Sequence, residues 1–185
     1  MSYPLAEHDR MLAALIMPCV VVAVDLAAAR VRVTDGEWTS AWVRWHAQAA
    51  GKARHWRAPS LGEHGVLISP SGVAEMGTFV PGLFGTAGAP PDNRDHVEVW
   101  RFDDGASLIY DWAAHSYEIT LPTGAVTVKV GGAQVRVSDA SITVLAGQIT
   151  LQGAVTIEGN VAVHGNVTST GSIMDTAGNS NHHTH

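Results

Sequence analysis

The chain has 185 residues, 46% of them hydrophobic, and a formal net charge of −6. That length holds one large domain or two small ones with a real core. An acidic total argues against a nucleic-acid binder, which needs a dense cationic face. Charge is also uneven: six basic residues lie between Arg30 and Arg57 against Asp35 and Glu37, whereas beyond Ser141 only Glu158 and Asp175 are charged. The second half is therefore too neutral to be an acidic disordered tail.

The apolar run Met11 to Val24 is 14 residues long, too short to span a bilayer. Glu7, Asp9 and Pro18 argue against an export signal. The pattern predicts a helix from about Leu5 to Met17 and then strands. Cys19, the only cysteine, excludes an intrachain disulfide and reads as a buried small hydrophobe. Cys19 to Asp25 is apolar and β-branched, and Arg30 to Thr34 alternates. Asp35-Gly36 signals a turn. Further strands are predicted at Trp38 to Trp45, Val66 to Ile68 and Phe79 to Val80, with Lys52 to Arg57 as a basic loop or strand edge. Five short strands joined by long loops fit a small Greek-key barrel of the OB type. PGLFGTAGAPPDN (81–93) has linker composition. Val97 to Phe102, Ser107 to Asp111 and Ser116 to Leu121 form a predicted meander.

From Val126 onward apolar residues recur as i, i+2 pairs. Val128/Val130, Val135/Val137, Ile142/Val144 and Ile149/Leu151 are seven residues apart; Val155/Ile157 and Val161/Val163, then Val167 and Ile173 singly, are six apart. In a strand the members of each pair face one way. Gly, Ser, Asp and Asn fill the gaps, so each repeat reads as a short strand and a tight corner, the signature of a β-helix. A left-handed hexapeptide helix of the acyltransferase kind requires one steady inward aliphatic per six-residue face, which the seven-residue steps do not supply. Three identical chains wound around one axis would bury the pairs and cover one another's strand edges.

The chain ends NHHTH. His183 and His185 fall on one side of an extended terminus, with His182 facing away. Alone, H-x-H is also compatible with a disordered tail, although the interrupting Thr184 argues against a purification tag. On a threefold axis, two imidazoles per chain become six, a full octahedral shell that suits a divalent transition metal such as iron(II) better than four-coordinate zinc. With no open position, such a site is structural, not catalytic.

Neither G-x-S-x-G, H-E-x-x-H nor C-x-x-C occurs. Asp103-Asp104 and Asp92/Asp95 read as turn residues rather than a catalytic carboxylate pair. No catalytic residue, organic cofactor or small-molecule substrate is expected. The aromatic set Trp38, Trp42, Trp45 and Trp56, near Arg44, Lys52, Arg54 and Arg57, offers a second reading as a stacking platform for single-stranded nucleic acid; core or trimer contacts explain the tryptophans better.

AWVRW (41–45), RHWRAPSLGEHG (54–65, with Arg57, Pro59, Ser60, Gly62 and Glu63 as R-x-P-S-x-G-E), FVPGLFG (79–85), the apolar ruler and the terminal H-x-H resemble one family across essentially the whole chain. It is the baseplate assembly protein V, or central tail spike, of contractile-tailed phages, with the R-type pyocin (tailocin) spike as the nearest likeness. The resemblance implies an all-β protein: an N-terminal OB-fold barrel, then an intertwined triple-stranded β-helix with a metal-capped tip. Its expected divisions are a helical segment (1–18), the OB fold (19–92), a β-meander neck (93–125), the β-helix (126–176) and the tip (177–185). It further implies a homotrimer that docks to the baseplate hub and pierces the bacterial outer membrane on sheath contraction. By the same likeness the tip would hold one metal ion per trimer, iron(II), on His183 and His185. Such a spike is made in the bacterial cytoplasm without a signal peptide, joins a tail or tailocin particle and leaves by lysis. Relatives often continue past H-x-H with a Gly-rich tail, whereas this sequence stops at His185, which would set a carboxylate near the metal.

Overall fold

The computed structural model describes residues 3–171 and residue 173. It divides into two compact units between Gly124 and Ala125. The first opens with α1 (Tyr3–Ala13), followed by β1 (Ile16–Asp25), β2 (Arg30–Thr34), β3 (Val43–Trp45), β4 (His64–Ile68) and β5 (Thr78–Leu83). These strands close into a barrel in the order β1-β2-β3-β5-β4. Its core is Cys19, Val21, Val31, Val33, Val43, Leu67 and Phe79, with Trp38 and Trp45 packed against it. Burial pushes the Cys19 thiol above its ordinary pKa, as the inert reading requires.

The helix is earlier than its predicted span, and Pro18 lies inside β1, paired with Val66. The ladder explains this tolerance. Ser69 N donates to Leu15 O at 2.8 Å, so odd-numbered β1 residues face β4 with their N–H groups and position 18 turns away. On its other side β1 meets β2 only from Val20 onward, leaving Pro18 at an edge where no ladder donor is missed. The predicted strand from Trp38 to Trp45 shrinks to Val43–Trp45 because side chains take over its hydrogen bonds. Asp35 Oδ1 accepts from the N–H groups of Glu37 and Trp38, Thr34 Oγ1 donates to Trp38 O, and buried Ser40 Oγ accepts from Val33 N. Such local bonds compete with sheet pairing. Those two backbone donors also hold the Asp35 carboxyl below its ordinary pKa, Trp38's being the stronger cause.

Gly65 is the tightest point of the barrel wall. A Cβ there would meet Val80 O at 2.4 Å and the Phe79 ring at 2.5 Å. The same unit ends in an antiparallel sheet of β6 (Val97–Arg101), β7 (Ser107–Asp111) and β8 (Ser116–Thr120). Arg94 braces its start, reaching Asp92 at 2.8 Å and Asp111 at 3.0 Å.

The second unit begins with an antiparallel meander of β9 (Ala125–Val130), β10 (Ala133–Ser138) and β11 (Ile142–Leu145). Here the seven-residue step acquires a geometric meaning. Opposed residues share a face of a sheet, and an odd step flips parity between strands, so each hairpin must pair even with odd positions. It does: Val128 opposes Val135, which opposes Val144, and Val126 opposes Val137, which opposes Ile142. The first repeats thus pair as hairpins within the chain. After Leu145 the described residues carry no strand pairing within the chain. Instead Gly153, Gly159 and Gly165, six residues apart, take φ of 130°, 133° and 157°. An even step preserves parity, so along an extended backbone the apolar set would keep to one side without hairpin reversal.

Candidate functional site

The sheet of the second unit sorts its residues almost completely, Leu145 opposite Gln134 being the large aliphatic on the polar face. Val126, Val128, Val130, Val135, Val137, Ile142 and Val144 share one face; Thr127, Lys129, Gln134, Arg136 and Thr143 share the other. The aliphatic face lies open in the single chain, with Val130 at 76% and Ile142 at 72% exposure. Farther along, Ile149, Leu151, Val155, Ile157, Val161, Val163 and Val167 are exposed too. A contiguous aliphatic surface of this extent marks an interaction face, and a backbone without partners in its own chain calls for partners elsewhere.

Comparison with known proteins identifies the context of this surface. Residues 98–169 match the Gp138 β-helical trimerization domain, and residues 17–84 match the type VI secretion system/phage-baseplate injector OB domain. The spike protein of Escherichia phage P2 is 33% identical over 106 residues, 57% of this chain and 50% of that protein. The chain therefore carries an injector OB domain and a β-helical trimerization domain of phage-baseplate type and is similar to that spike protein. The alignment spans about half the length of this curated relative.

Within the spike family reading, the barrel motif has a structural explanation. Glu63 is buried, and its Oε1 accepts from Arg57 at 3.0 Å while Oε2 accepts from Ser60 N at 2.8 Å. Glu63 N returns a bond to Ser60 O, and Gly62 supplies the positive φ of 79° that this reversal requires. R-x-P-S-x-G-E is therefore a clamp on the turn that feeds β4. It also removes Arg57 from the stacking platform considered above. Trp45 packs on the core and meets Trp56 edge-on at 5.4 Å; Arg44 Nε donates to Thr78 Oγ1 and Arg54 Nε to Gly51 O. Trp38 and Trp45 serve the barrel core, Trp42 and Trp56 stay exposed, and Arg44, Arg54 and Arg57 are each bonded to a different local acceptor.

The acidic pairs are equally local. Asp104 Oδ1 accepts from Ala106 N beside Gly105, where the chain turns. Asp92 accepts from its own turn and from Arg94, whose guanidinium holds the Asp92 carboxyl far below the usual carboxylate range. Asp95 is lowered by its bond to His96. No group of three or more His, Cys, Asp or Glu side chains suited to a metal occurs among the described residues. His183 and His185, the expected ligands, lie outside the described residues, as does His182. No described helix is long and apolar enough to cross a membrane.

The sequence pattern did not single out the exposed aromatic face of the β6–β8 sheet. Cross-strand register groups Glu98 with Tyr110 and Tyr117, and Trp100 with Leu108 and Ile119. The even-numbered members of β6 and β7 and the odd-numbered members of β8 carried the signal, legible once the two turns were counted.

Proposed function

We propose that three copies of this chain form the central membrane-piercing spike of a contractile injection machine, a phage tail or an R-type pyocin. The observation that carries this is the open aliphatic face of β9–β11, continued by a ladder without intrachain pairing, inside a trimerization-family match. Three copies would bury that face at ~1.5–3 kcal/mol for each fully covered aliphatic side chain and complete the backbone pairing. The barrel end docks to the baseplate hub, the shaft carries axial load when the sheath contracts, and the tip breaks the outer membrane of the target cell. No bond-making chemistry is required. The matched families are structural ones.

The donor set at the terminus fits a metal. His183 and His185 from three chains would supply six neutral nitrogens, an octahedral set for iron(II) that leaves no position open for catalysis. The metal would tie the three chains together at that point.

Analytical ultracentrifugation with elemental analysis on one untagged sample tests both parts. Three chains per particle and one metal ion per three chains are expected. A monomer would refute the spike, and a metal-free trimer would refute the tip. The double variant His183→Ala, His185→Ala should lose the metal and remain a folded trimer, because shaft burial exceeds the contribution of one site. Particles assembled with that variant should contract normally yet permeabilise target cells less.

A further inference from the structure

One register row crosses every strand of the barrel on its outer wall. Arg30 on β2 opposes Arg44 on β3, and Arg44 pairs with Thr78 on β5. Thr78 in turn opposes Ile68 on β4, which opposes Ile16 on β1. Their chain neighbours Val31, Val43, Phe79 and Leu67 belong to the buried core, so by alternation the row points outward. Ile16 is 65% and Ile68 47% exposed, and both arginines are exposed. Half-buried Thr78 accepts from Arg44 Nε at 3.0 Å and joins the two ends. The row is thus a belt, cationic at one end and aliphatic at the other. Directly opposed like charges are unfavourable in a sheet. Among the described residues neither Arg30 nor Arg44 forms a salt bridge. Asp25, which opposes Arg30 from β1, gives its Oδ1 to Ala28 N at 2.9 Å instead.

We infer that this belt is the docking strip for an acidic protein segment of the baseplate partner, which sets carboxylates on Arg30 and Arg44 and a large apolar side chain on Ile68 and Ile16. The inference rests on the docking assigned to the barrel end above, and names the residues and the chemistry of that contact. Charge complementarity selects the occupant. The paired guanidiniums call for negative charge, and carboxylates match their forked donors. A purely ionic ligand would leave the two isoleucines uncovered. The chain itself carries a net charge of −6, so a polyanion is repelled at long range, whereas a short acidic segment is held at contact distance, inside the screening length. A second copy presenting the same belt would set arginine against arginine, and the belt lies outside the trimerization-domain match at 98–169. Because the row winds around a closed barrel, the fitting segment follows the wall across the strands instead of resting on it as a flat surface. Arg44 and Ile68 are two strand spacings apart, about 10 Å, which about three residues of extended chain can span.

Binding of the full-length protein to the purified hub protein of the same tail tests this. Each variant is first sedimented, to establish that it keeps the fold and oligomeric state of the unaltered chain. Arg30→Glu and Arg44→Glu should each weaken binding roughly 10- to 100-fold and reduce its salt dependence, through loss of a charge-assisted contact. Ile68→Ser should weaken it with the salt dependence unchanged. Lys52→Glu, the same change of charge on an exposed loop off the belt, should leave binding within about fivefold. Thr78→p-benzoylphenylalanine, at the middle of the belt, should cross-link to the hub protein on irradiation. An unaltered chain that fails to bind the hub would refute the docking reading and the belt with it. Hub binding that the Arg30, Arg44 and Ile68 substitutions leave unchanged, or that Lys52→Glu weakens equally, would overturn the belt alone. So would cross-links from position 78 only between copies of this chain, or binding to phosphatidylglycerol vesicles that Arg44→Glu abolishes, since the occupant would then be a second copy or a lipid surface.

Discussion

Val135 stands at the centre of the row Val128–Val135–Val144, where strands on both sides present only aliphatic neighbours. Threonine has nearly the same shape, so Val135→Thr changes polarity with little change in volume. If the face is covered by other copies, each introduced hydroxyl is buried among valines without an acceptor. Burying such a group costs ~1–3 kcal/mol on the scale of protein mutations, and symmetry triples it to ~3–9 kcal/mol per trimer. At 1.4 kcal/mol per decade, the trimer dissociation constant should rise by about 10² to 10⁶. Guanidinium unfolding at several protein concentrations, with sedimentation at each midpoint, measures the change. Arg136→Thr, on the opposite face, is the control and should stay within ~0.5 kcal/mol per chain. Equal effects of the two substitutions, or no effect of Val135→Thr on a folded trimer, would refute the assignment of this face.

Three further outcomes concern the first unit. Gly65→Ala sets a methyl against Val80 O and the Phe79 ring and should destabilise the barrel by ~1–3 kcal/mol, read as a lower thermal midpoint by circular dichroism. Glu63→Gln weakens the clamp on Arg57 and Ser60 N and should cost about 1.5–3 kcal/mol; hydrogen exchange should quicken first in the loop before β4. The third concerns acid. Arg94 depresses the Asp92 carboxyl, and the N–H groups of Ala114 and Ala113 are the main donors that depress Asp111. Both folded pKa values lie below the unfolded value of ~3.9, so their stabilisation is complete above that pH and is lost as pH falls through the folded values. Arg94→Gln should lower stability at pH 7 and flatten the acid dependence, followed by tryptophan fluorescence in an unfolding series at several pH values. An unchanged slope would show that the Arg94 bridges do not set it.

Much of this fold is legible in the sequence because it rests on alternation. Val31 and Val33, Leu67 and Phe79 announce buried barrel positions, and the i, i+2 pairs announce a one-faced sheet. Alternation does not say which backbone groups are already satisfied by side chains, which is why Thr34, Asp35 and Ser40 could shorten the strand expected from Trp38. Nor does it fix ladder orientation, on which the place of Pro18 depends. The seven-residue spacing did contain the hairpins, but only through its parity, since an odd step demands a change of pairing class that a count of repeats overlooks. The aromatic face of β6–β8 escaped because its members come from three strands with unequal turns between them. The terminal histidines remain a matter of donor chemistry.

The six-residue spacing of Gly153, Gly159 and Gly165 makes the far part of the shaft a counted object. A single inserted residue between two of these glycines would turn every later aliphatic outward, whereas six inserted residues would leave all of them in place. Length in this region can therefore change only in whole steps. Length here is an inheritable quantity with integer values, adjustable without altering a residue of the barrel.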